Sequence, residues 1–311
     1  MDKTIYYLIK TARPRQWLKN ISLFTGLVFT GWLFEVDKFL TVLWGVLIFS
    51  LLTSSVYIFN DLIDVNRDRQ HPLKKKRPIA SGKLPVPIAT FTAILLVVIS
   101  LYLANTISFF FFILSLMYAI LHFAYSLWLK VYSIIDVLVI ATGFVIRVYA
   151  GAVAINAHIN VWLLLCVISF SLFLAIGKRR SEKTLLKGIR TSAHHREVLS
   201  HYPDQLLDIY TSMFANTTWL TYALFAFQQP TFITQGSFLS LMAVLPRAFV
   251  NQKLLMLTVP LVIYGVMRYL QLIYDQDKGE SPAEVLLADK PLLAAIGIWT
   301  LMVVVIEYGV T

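Results

Sequence analysis

Asn60, Asp61, Asp64 and Asp68 stand together at the end of a long apolar run, immediately before the basic segment His71 to Lys83. Continued as a helix, positions 60, 64 and 68 repeat every four residues, and 61, 64 and 68 at three and four. All four side chains therefore share one face. Three carboxylates that close repel one another unless a cation sits among them. A hard divalent ion answers that need: Mg²⁺ takes oxygen ligands, keeps several waters and is usually completed by phosphate oxygens, and Mn²⁺ accepts the same donors. The quartet thus suits a metal held against a diphosphate, with Asp61, Asp64 and Asp68 as catalytic acids and Asn60 as a further ligand.

Other groups that could bind or react are scattered along apolar stretches, where ionisable side chains are expensive. Asp136 and Arg147 lie eleven residues apart on one helical stripe with Gly143 and Gly151; at ~16 Å along the axis they cannot touch. They read equally as a site wall or as buried polar packing. Lys178, Arg179, Arg180 and Glu182 follow an apolar run and read as headgroup anchors or as an anion clamp, arginine's planar fork suiting phosphate oxygens. Tyr125 and Lys130, at the end of another run, read as a belt aromatic and a snorkelling lysine. Asp208 and Glu307 read as solvated or interfacial carboxylates. His71, His194 and His195 have no Cys or His partners at zinc-like spacing.

Composition supplies the frame for these groups. Hydrophobic residues make up 58% of the 311, and the mean hydropathy is +0.71, as in a polytopic membrane protein. Runs able to cross ~30 Å of hydrocarbon fall near 20–36, 39–60, 86–105, 107–128, 134–156, 160–177, 205–228, 253–274 and 291–309, so we expect nine spans in an all-α membrane bundle. With the N-terminus inside, segments 1–19, 61–85, 128–133, 178–204 and 275–290 hold 22 of the 27 Lys and Arg. That bias orients the chain with these segments cytoplasmic. Much of the net charge of +10 then serves topology and anionic headgroups, and no nucleic-acid module is recognisable.

The chemistry is expected at the cytoplasmic face, where connections 61–85 and 178–204 act as lids. Pro72, Pro78, Gly82, Pro85 and Pro87 punctuate the first, the last two where a helix tolerates proline. Segment 229–252 is too apolar for an ordinary loop and is expected in the interface. Ser281 to Glu284 reads as a capping box. The single cysteine, Cys166, permits no intrachain disulfide, and no cleavable signal peptide is apparent. One domain, 1–311, embedded in the cell membrane is expected.

The residues Asn60 to Asp68 resemble the NDxxDxxxD motif of the UbiA superfamily of intramembrane prenyltransferases. Arg13 to Asn20, His71 to Gly82, Gly143 to Arg147 with Ala150 and Gly151, Gly177 to Glu182 and Ser281 to Pro291 narrow the resemblance to its decaprenyl-phosphate phosphoribosyltransferase branch. Ordinary members carry a second aspartate motif after the sixth span; this chain has Lys178, Arg179 and Arg180 there, with Glu182 as the only nearby acid in sequence. Cations in that place suit a substrate with an additional phosphate, as phosphoribosyl pyrophosphate has.

The resemblance implies a nine-helix UbiA-like bundle and a Mg²⁺-dependent transfer of 5-phosphoribosyl to a polyprenyl phosphate, making a lipid-linked phosphoribose for cell-envelope polysaccharide precursors. Arg77, Lys83, Lys178, Arg179 and Arg180 are then candidates for substrate phosphates, and Lys19 for the lipid phosphate, with Tyr125, Lys130, Asp136, Arg147 and Glu182 lining the substrate site. A phosphate nucleophile is already ionised at pH 7, so no general base and no nucleophilic Ser, Cys or His is required. Two alternatives stand beside it. One is prenyl transfer from a polyprenyl diphosphate to an aromatic or other acceptor. The other is a transporter using Asp136, Arg147 and Arg268, against which the concentration of charge at one face weighs. Polyprenyl length and homo-oligomer formation are left open.

Overall fold

The structure, a computed structural model, describes residues 3–70, 74–187, 202–229, 253–275 and 288–308. His71, His194, His195, the interfacial segment from 230 to 252 and the capping box at Ser281 lie outside the described residues, as does 188–201 of the second lid. The described residues form two compact units, one up to His158 and one from Ile159 onward.

The first unit runs α1 (Lys3–Ala12), a 3-10 helix (Pro14–Leu23), α2 (Phe24–Phe29), α3 (Val36–Ile63), α4 (Val65–Gln70), a 3-10 turn (Lys74–Lys76), α5 (Val86–Ile107), α6 (Phe109–Leu127), a 3-10 turn (Leu129–Val131) and α7 (Ile135–Ala154). The second contains α8 (Val161–Lys187), α9 (Asp204–Gln228), a 3-10 helix (Leu254–Thr258), α10 (Val259–Asp275) and α11 (Lys290–Tyr308). The described residues contain no strand. Local chemistry starts several helices. Pro85 and Pro87 flank the first residue of α5, the Ser108 hydroxyl accepts from Phe111 N at 3.1 Å to open α6, and Asp289 accepts from Leu292 N at 2.9 Å to open α11.

Seven helical stretches among the described residues are long and apolar enough to cross a membrane: Val36–Ile63, Val86–Ile107, Phe109–Leu127, Ile135–Ala154, Val161–Thr184, Leu254–Tyr274 and Lys290–Tyr308. Two expected spans differ. Near 20–36 the chain forms a 3-10 helix and then the six-residue α2, which stops before Gly31 at φ 79°. Near 205–228 a helix does form, but Asp204, Asp208, Thr211, Ser212, Asn216, Thr217, Thr218 and Thr221 make α9 too polar to count with the seven. Its threonine hydroxyls return to carbonyls one turn back, Thr211 to Leu207 and Thr218 to Phe214 at 2.6 Å each, which lowers the cost of polar groups there.

The core of the first unit joins Leu23 and Leu27 to Ile48, Phe49 and Leu52 of α3, Phe111 and Tyr118 of α6 and Ile146 and Ala150 of α7. Phe49 meets Phe111 edge-on at 5.6 Å. Backbone touches backbone where the 3-10 helix crosses α7: a Cβ on Gly151 would lie 1.9 Å from the Leu23 carbonyl oxygen. No side chain can swing aside to relieve that clash. Gly151→Ala is therefore expected to destabilise the protein by about 3 kcal/mol, whereas Gly297→Ala, whose added Cβ meets nothing within 4 Å, should be neutral or slightly stabilising. Equal melting temperatures for the two variants would refute this crossing.

At 28 residues, α3 is ~42 Å long, well over the hydrocarbon thickness of ~30 Å. Its last turn carries Asn60 and Asp61, and Asp64 and Asp68 follow at the junction and in α4, so the quartet stands at the far end of a helix longer than the apolar layer. The following segment folds back over them. Gly82 turns at φ 74°, Leu84 N donates to Pro78 O at 3.0 Å, and Ile79 and Leu84 pack into a cluster with Ile58, Ala89 and Ala93.

Candidate functional site

The quartet is brought together as its spacing implies. α3 ends at Ile63 and α4 begins at Val65, yet Asp64 N donates to Asn60 O at 3.0 Å and Asp68 N to Asp64 O at 2.8 Å, so the helical register carries through. Asp61 and Asp68 are 2% and 3% exposed. The cations among them come from the chain itself. Arg77 Nη1 donates to Asp61 Oδ1 at 2.9 Å and to Asp68 Oδ2 at 2.6 Å, Arg13 Nη2 to Asp61 Oδ1 at 2.5 Å, and Lys130 Nζ to Asp64 Oδ1 at 2.5 Å. Asn60 Nδ2 reaches Asp64 Oδ2 at 3.3 Å. Like-charge repulsion therefore finds its answer within the protein and does not by itself demand a metal, and among the described residues no three acids close on one point as a metal cage.

Arg13 arrives from far away in sequence. It holds a left-handed backbone, φ 53°, costly for a side chain with a Cβ, and its guanidinium lies 4.9 Å from the Tyr57 ring centre. Strain of this kind, maintained by a buried ion pair, marks a constrained site. Lys83, by contrast, stands 5.7 Å over the Tyr7 ring and makes no ion pair among the described residues.

A second polar group lies deeper in the same unit. Arg147, 4% exposed, donates from Nε to Asn20 Oδ1 at 2.8 Å, from Nη1 to Gly143 O at 3.0 Å and from Nη2 to Tyr118 OH at 2.6 Å. Asn20 in turn donates to Ser50 Oγ at 3.1 Å. Lys19, half-buried on the 3-10 helix, makes no side-chain hydrogen bond or ion pair among the described residues; burial, then the Arg147 and Arg13 guanidiniums, push its ammonium down to about 8. Asp136 is buried in the first turn of α7, where the helix dipole favours a carboxylate. Tyr125 is half-buried near the end of α6.

In the second unit the basic run is committed to acids. Arg179, 1% exposed, donates to Glu182 Oε2 at 2.7 Å, and Lys178 lies 3.9 Å from Glu182 Oε1. Arg180 donates to Asp208 Oδ1 at 2.7 Å and Lys183 lies 3.1 Å from Asp204. Glu182 is thus not the only acid beside the run, because α9 adds Asp204 and Asp208, 21 or more residues on. Asp208 also accepts from Tyr274 OH at 2.7 Å. Arg268 forks onto Asp289 at 2.7 and 3.1 Å, which removes it from any polar path. Glu307, whose place near a span end suggests a solvated or interfacial carboxylate, is instead 6% exposed.

Sequence reasoning gives Arg13, Asn20, Tyr118 and His122 no individual role. Arg13 and Asn20 bound a segment that carries part of the family resemblance, but nothing in local spacing links them to Asp61 or Arg147.

Comparison with known proteins identifies the scaffold. Residues 20–288 match the UbiA prenyltransferase family. The decaprenyl-phosphate phosphoribosyltransferase of Mycolicibacterium smegmatis is 35% identical over 226 residues, 71% of this chain and 70% of the relative. That of Corynebacterium glutamicum is 31% identical over 306 residues, 97% of this chain and 86% of the relative. A UbiA homologue from Archaeoglobus fulgidus, solved with GPP and Mg²⁺, superposes with a TM-score of 0.68 at 18% identity, covering 97% of this chain and 99% of that one; at that identity the likeness concerns the fold. Apolar helices, an acidic quartet spanning the junction of α3 and α4 and these relatives lead to one conclusion: this chain is an integral, multi-pass membrane protein and belongs to the UbiA prenyltransferase family.

Proposed function

We propose that this protein transfers 5-phosphoribosyl from phosphoribosyl pyrophosphate to a polyprenyl phosphate at the cytoplasmic face of the cell membrane, within a single nine-span domain. The observation that carries the reading is the interleaving of carboxylates and cations at the end of α3. Asp61, Asp64 and Asp68 would hold a metal for a diphosphate, and Arg13, Arg77 and Lys130, which pair with those acids, would supply cations for its oxygens. Relatives at 31% and 35% identity named for this transfer support the choice of donor and acceptor.

The donor set fits Mg²⁺, and Mn²⁺ as a substitute. All four residues offer hard oxygens, and Asp61 and Asp68 each engage the neighbouring cations through one oxygen only. Mg²⁺ commonly takes one or two carboxylates and completes its shell with water and phosphate, so a three-acid cage is not needed. Asn60, Asp61, Asp64 and Asp68 would hold it, and when bound it supplies Lewis-acid stabilisation to the departing pyrophosphate. In the transfer the bond from C1 of the ribose to the pyrophosphate oxygen breaks, and a bond forms from C1 to a lipid phosphate oxygen. That oxygen is ionised at neutral pH and needs no base. Arg77 orients the diphosphate and, through the lid, keeps water from C1. Lys178, Arg179 and Arg180 are proposed to serve the 5-phosphate, with Glu182 setting the first two, and Lys83 to draw the donor in by its charge.

Purified protein in lipid nanodiscs with Mg²⁺ and phosphoribosyl pyrophosphate should release pyrophosphate only when polyprenyl phosphate is present, and the lipid product should be heavier by one phosphoribosyl group. No product across several polyprenyl lengths from folded protein moves the reading to a prenyl diphosphate donor. Orientation is tested by single cysteines at the exposed positions Lys75 and Asn156 in a Cys166→Ala background. An impermeant thiol reagent should reach the first only from the cytoplasmic side and the second only from the other.

A further inference from the structure

One short helix of the first unit is packed on one side and apolar on the other. In α1, Tyr7 and Leu8 pack with Ile58 of α3, Ala89 and Ala93 of α5, and Ile79 and Leu84 of the lid, and Thr11 is buried. The opposite side carries Ile5, Tyr6 and Ile9, which are 49%, 54% and 48% exposed. At about 100° per residue these three cover roughly a third of the helix circumference, and Lys10 and Lys3 follow at one edge of the strip. Lys3, Lys10 and Arg15 are exposed and make no ion pair or side-chain hydrogen bond among the described residues, and the sequence from Lys3 to Phe34 contains no acid. A helix that faced water would carry polar residues on that side. An exposed apolar strip edged by lysines suits a headgroup layer instead, where the lysine stems cover apolar surface and the ammoniums reach phosphates.

The fold puts α1 at that depth. At ten residues it is ~15 Å long and cannot cross ~30 Å of hydrocarbon. Arg13, one residue beyond its end, pairs with Asp61 in the last turn of α3, so α1 lies level with the end of a helix that is longer than the apolar layer.

We propose that the outer face of α1 docks on anionic phospholipid headgroups, and that this docking holds the lid over the acidic cluster. The occupant follows from charge. Three cations without an acid among them fit an anionic surface, each raising occupancy on the order of 5-fold, and they repel the same face of a second copy. The coupling follows from the inner face. Tyr7 and Leu8 share their cluster with Ile79 and Leu84, Lys83 of the lid stands 5.7 Å over the Tyr7 ring, and the chain leaving α1 delivers Arg13 to Asp61. A helix held on the lipid keeps Ile79 and Leu84 covered, and a helix lifted from it uncovers them. Which leaflet is engaged rests on the orientation proposed above; the docking does not.

The test uses the full chain in nanodiscs of phosphatidylcholine with or without phosphatidylglycerol, with Cys166→Ala and a single Ile9→Cys carrying an environment-sensitive fluorophore. With phosphatidylglycerol the label should be shielded from aqueous acrylamide and quenched by lipid spin-labelled at its headgroup. Lys3→Gln combined with Lys10→Gln should lower the ratio of docked to free α1 on the order of 10- to 30-fold. Equal acrylamide access in both lipids overturns the anionic partner. Shielding without spin-label quenching means that protein covers the face, as a second copy would, and overturns the lipid surface.

Hydrogen exchange reads the coupling at the Ser81, Gly82 and Leu84 amides, which donate to the Arg77, Ile79 and Pro78 carbonyls at 2.9, 3.1 and 3.0 Å. Phosphatidylglycerol should slow it on the order of 10-fold. Ile5→Gln combined with Ile9→Gln leaves Tyr7 and Leu8 in place, and should abolish that difference without changing the melting temperature in phosphatidylcholine. A lower melting temperature there would make the strip part of the protein's own packing and overturn the docking face, and lid exchange indifferent to lipid in a protein whose α1 docks overturns the coupling. Docking without phosphoribosyl transfer in either lipid sinks the proposed function alone, and transfer with the label in water in both lipids sinks the docking alone.

Discussion

Asp64→Asn is expected to lower Mg²⁺-dependent pyrophosphate release by roughly 10²- to 10³-fold, the scale seen when one preorganised electrostatic group is removed from a reacting centre, while leaving the protein inserted and folded. Asp64 sits at the junction of α3 and α4, its carboxylate 20% exposed and paired with Lys130 at 2.5 Å. The amide keeps the shape and the backbone bond from Asp64 N to Asn60 O but loses the charge that holds a hard ion. The pair is mostly buried, with 12% and 20% of its side chains exposed, but the amide oxygen can still accept from Lys130, so the loss should stay at ~1–2 kcal/mol, below the cost of truncating either partner. The discriminating measurement is turnover against Mg²⁺ concentration alongside a melting curve. Full activity of Asp64→Asn at saturating substrate would remove Asp64 from the metal site, and a collapse in melting temperature would recast it as structural.

Arg77→Met should be the most damaging change on the lid, because one guanidinium nitrogen serves two buried acids. Asp61 keeps Arg13, but Asp68 has no other ion pair among the described residues and is 3% exposed. Breaking a buried pair from one side typically costs ~3–5 kcal/mol; the retained Arg13 and the 26% exposure of the Arg77 side chain place the expected loss near the lower figure, about 3 kcal/mol. Arg77→Lys should recover only part of it, since a single ammonium cannot reproduce the planar fork. A divalent ion should compensate for the missing cation, so Mg²⁺ should raise the melting temperature of Arg77→Met more than that of the parent. Equal Mg²⁺ responses would mean that the ion does not enter between Asp61 and Asp68, and a parental melting temperature for Arg77→Met would mean that the lid is not held by this contact.

Both variants probe residues whose importance is legible in the amino-acid order alone. The spacing of Asn60, Asp61, Asp64 and Asp68 is a property of one helical stretch, and helical geometry by itself puts them on one face. Arg77 is legible as a lid cation because the lid follows within sixteen residues. Span positions are mostly legible because long apolar runs must be helical in lipid, where the backbone can only satisfy itself. The two departures have local causes: Gly31 and the 3-10 turns shorten the segment near 20–36, and α9 carries two acids and a row of hydroxyls that length and helicity do not reveal.

What the sequence by itself determined is therefore the membrane class, the acidic face and its lid, and the surplus of positive charge. What only the tertiary structure decided is which cation answers which acid. Arg13 and Asp61 are 48 residues apart, Lys130 and Asp64 66, and Arg147 and Asn20 127. Charge is countable along a chain, but pairing depends on packing between helices, here on the backbone contact of Gly151 with Leu23, which brings the 3-10 helix against α7 and lets Arg147 meet Asn20.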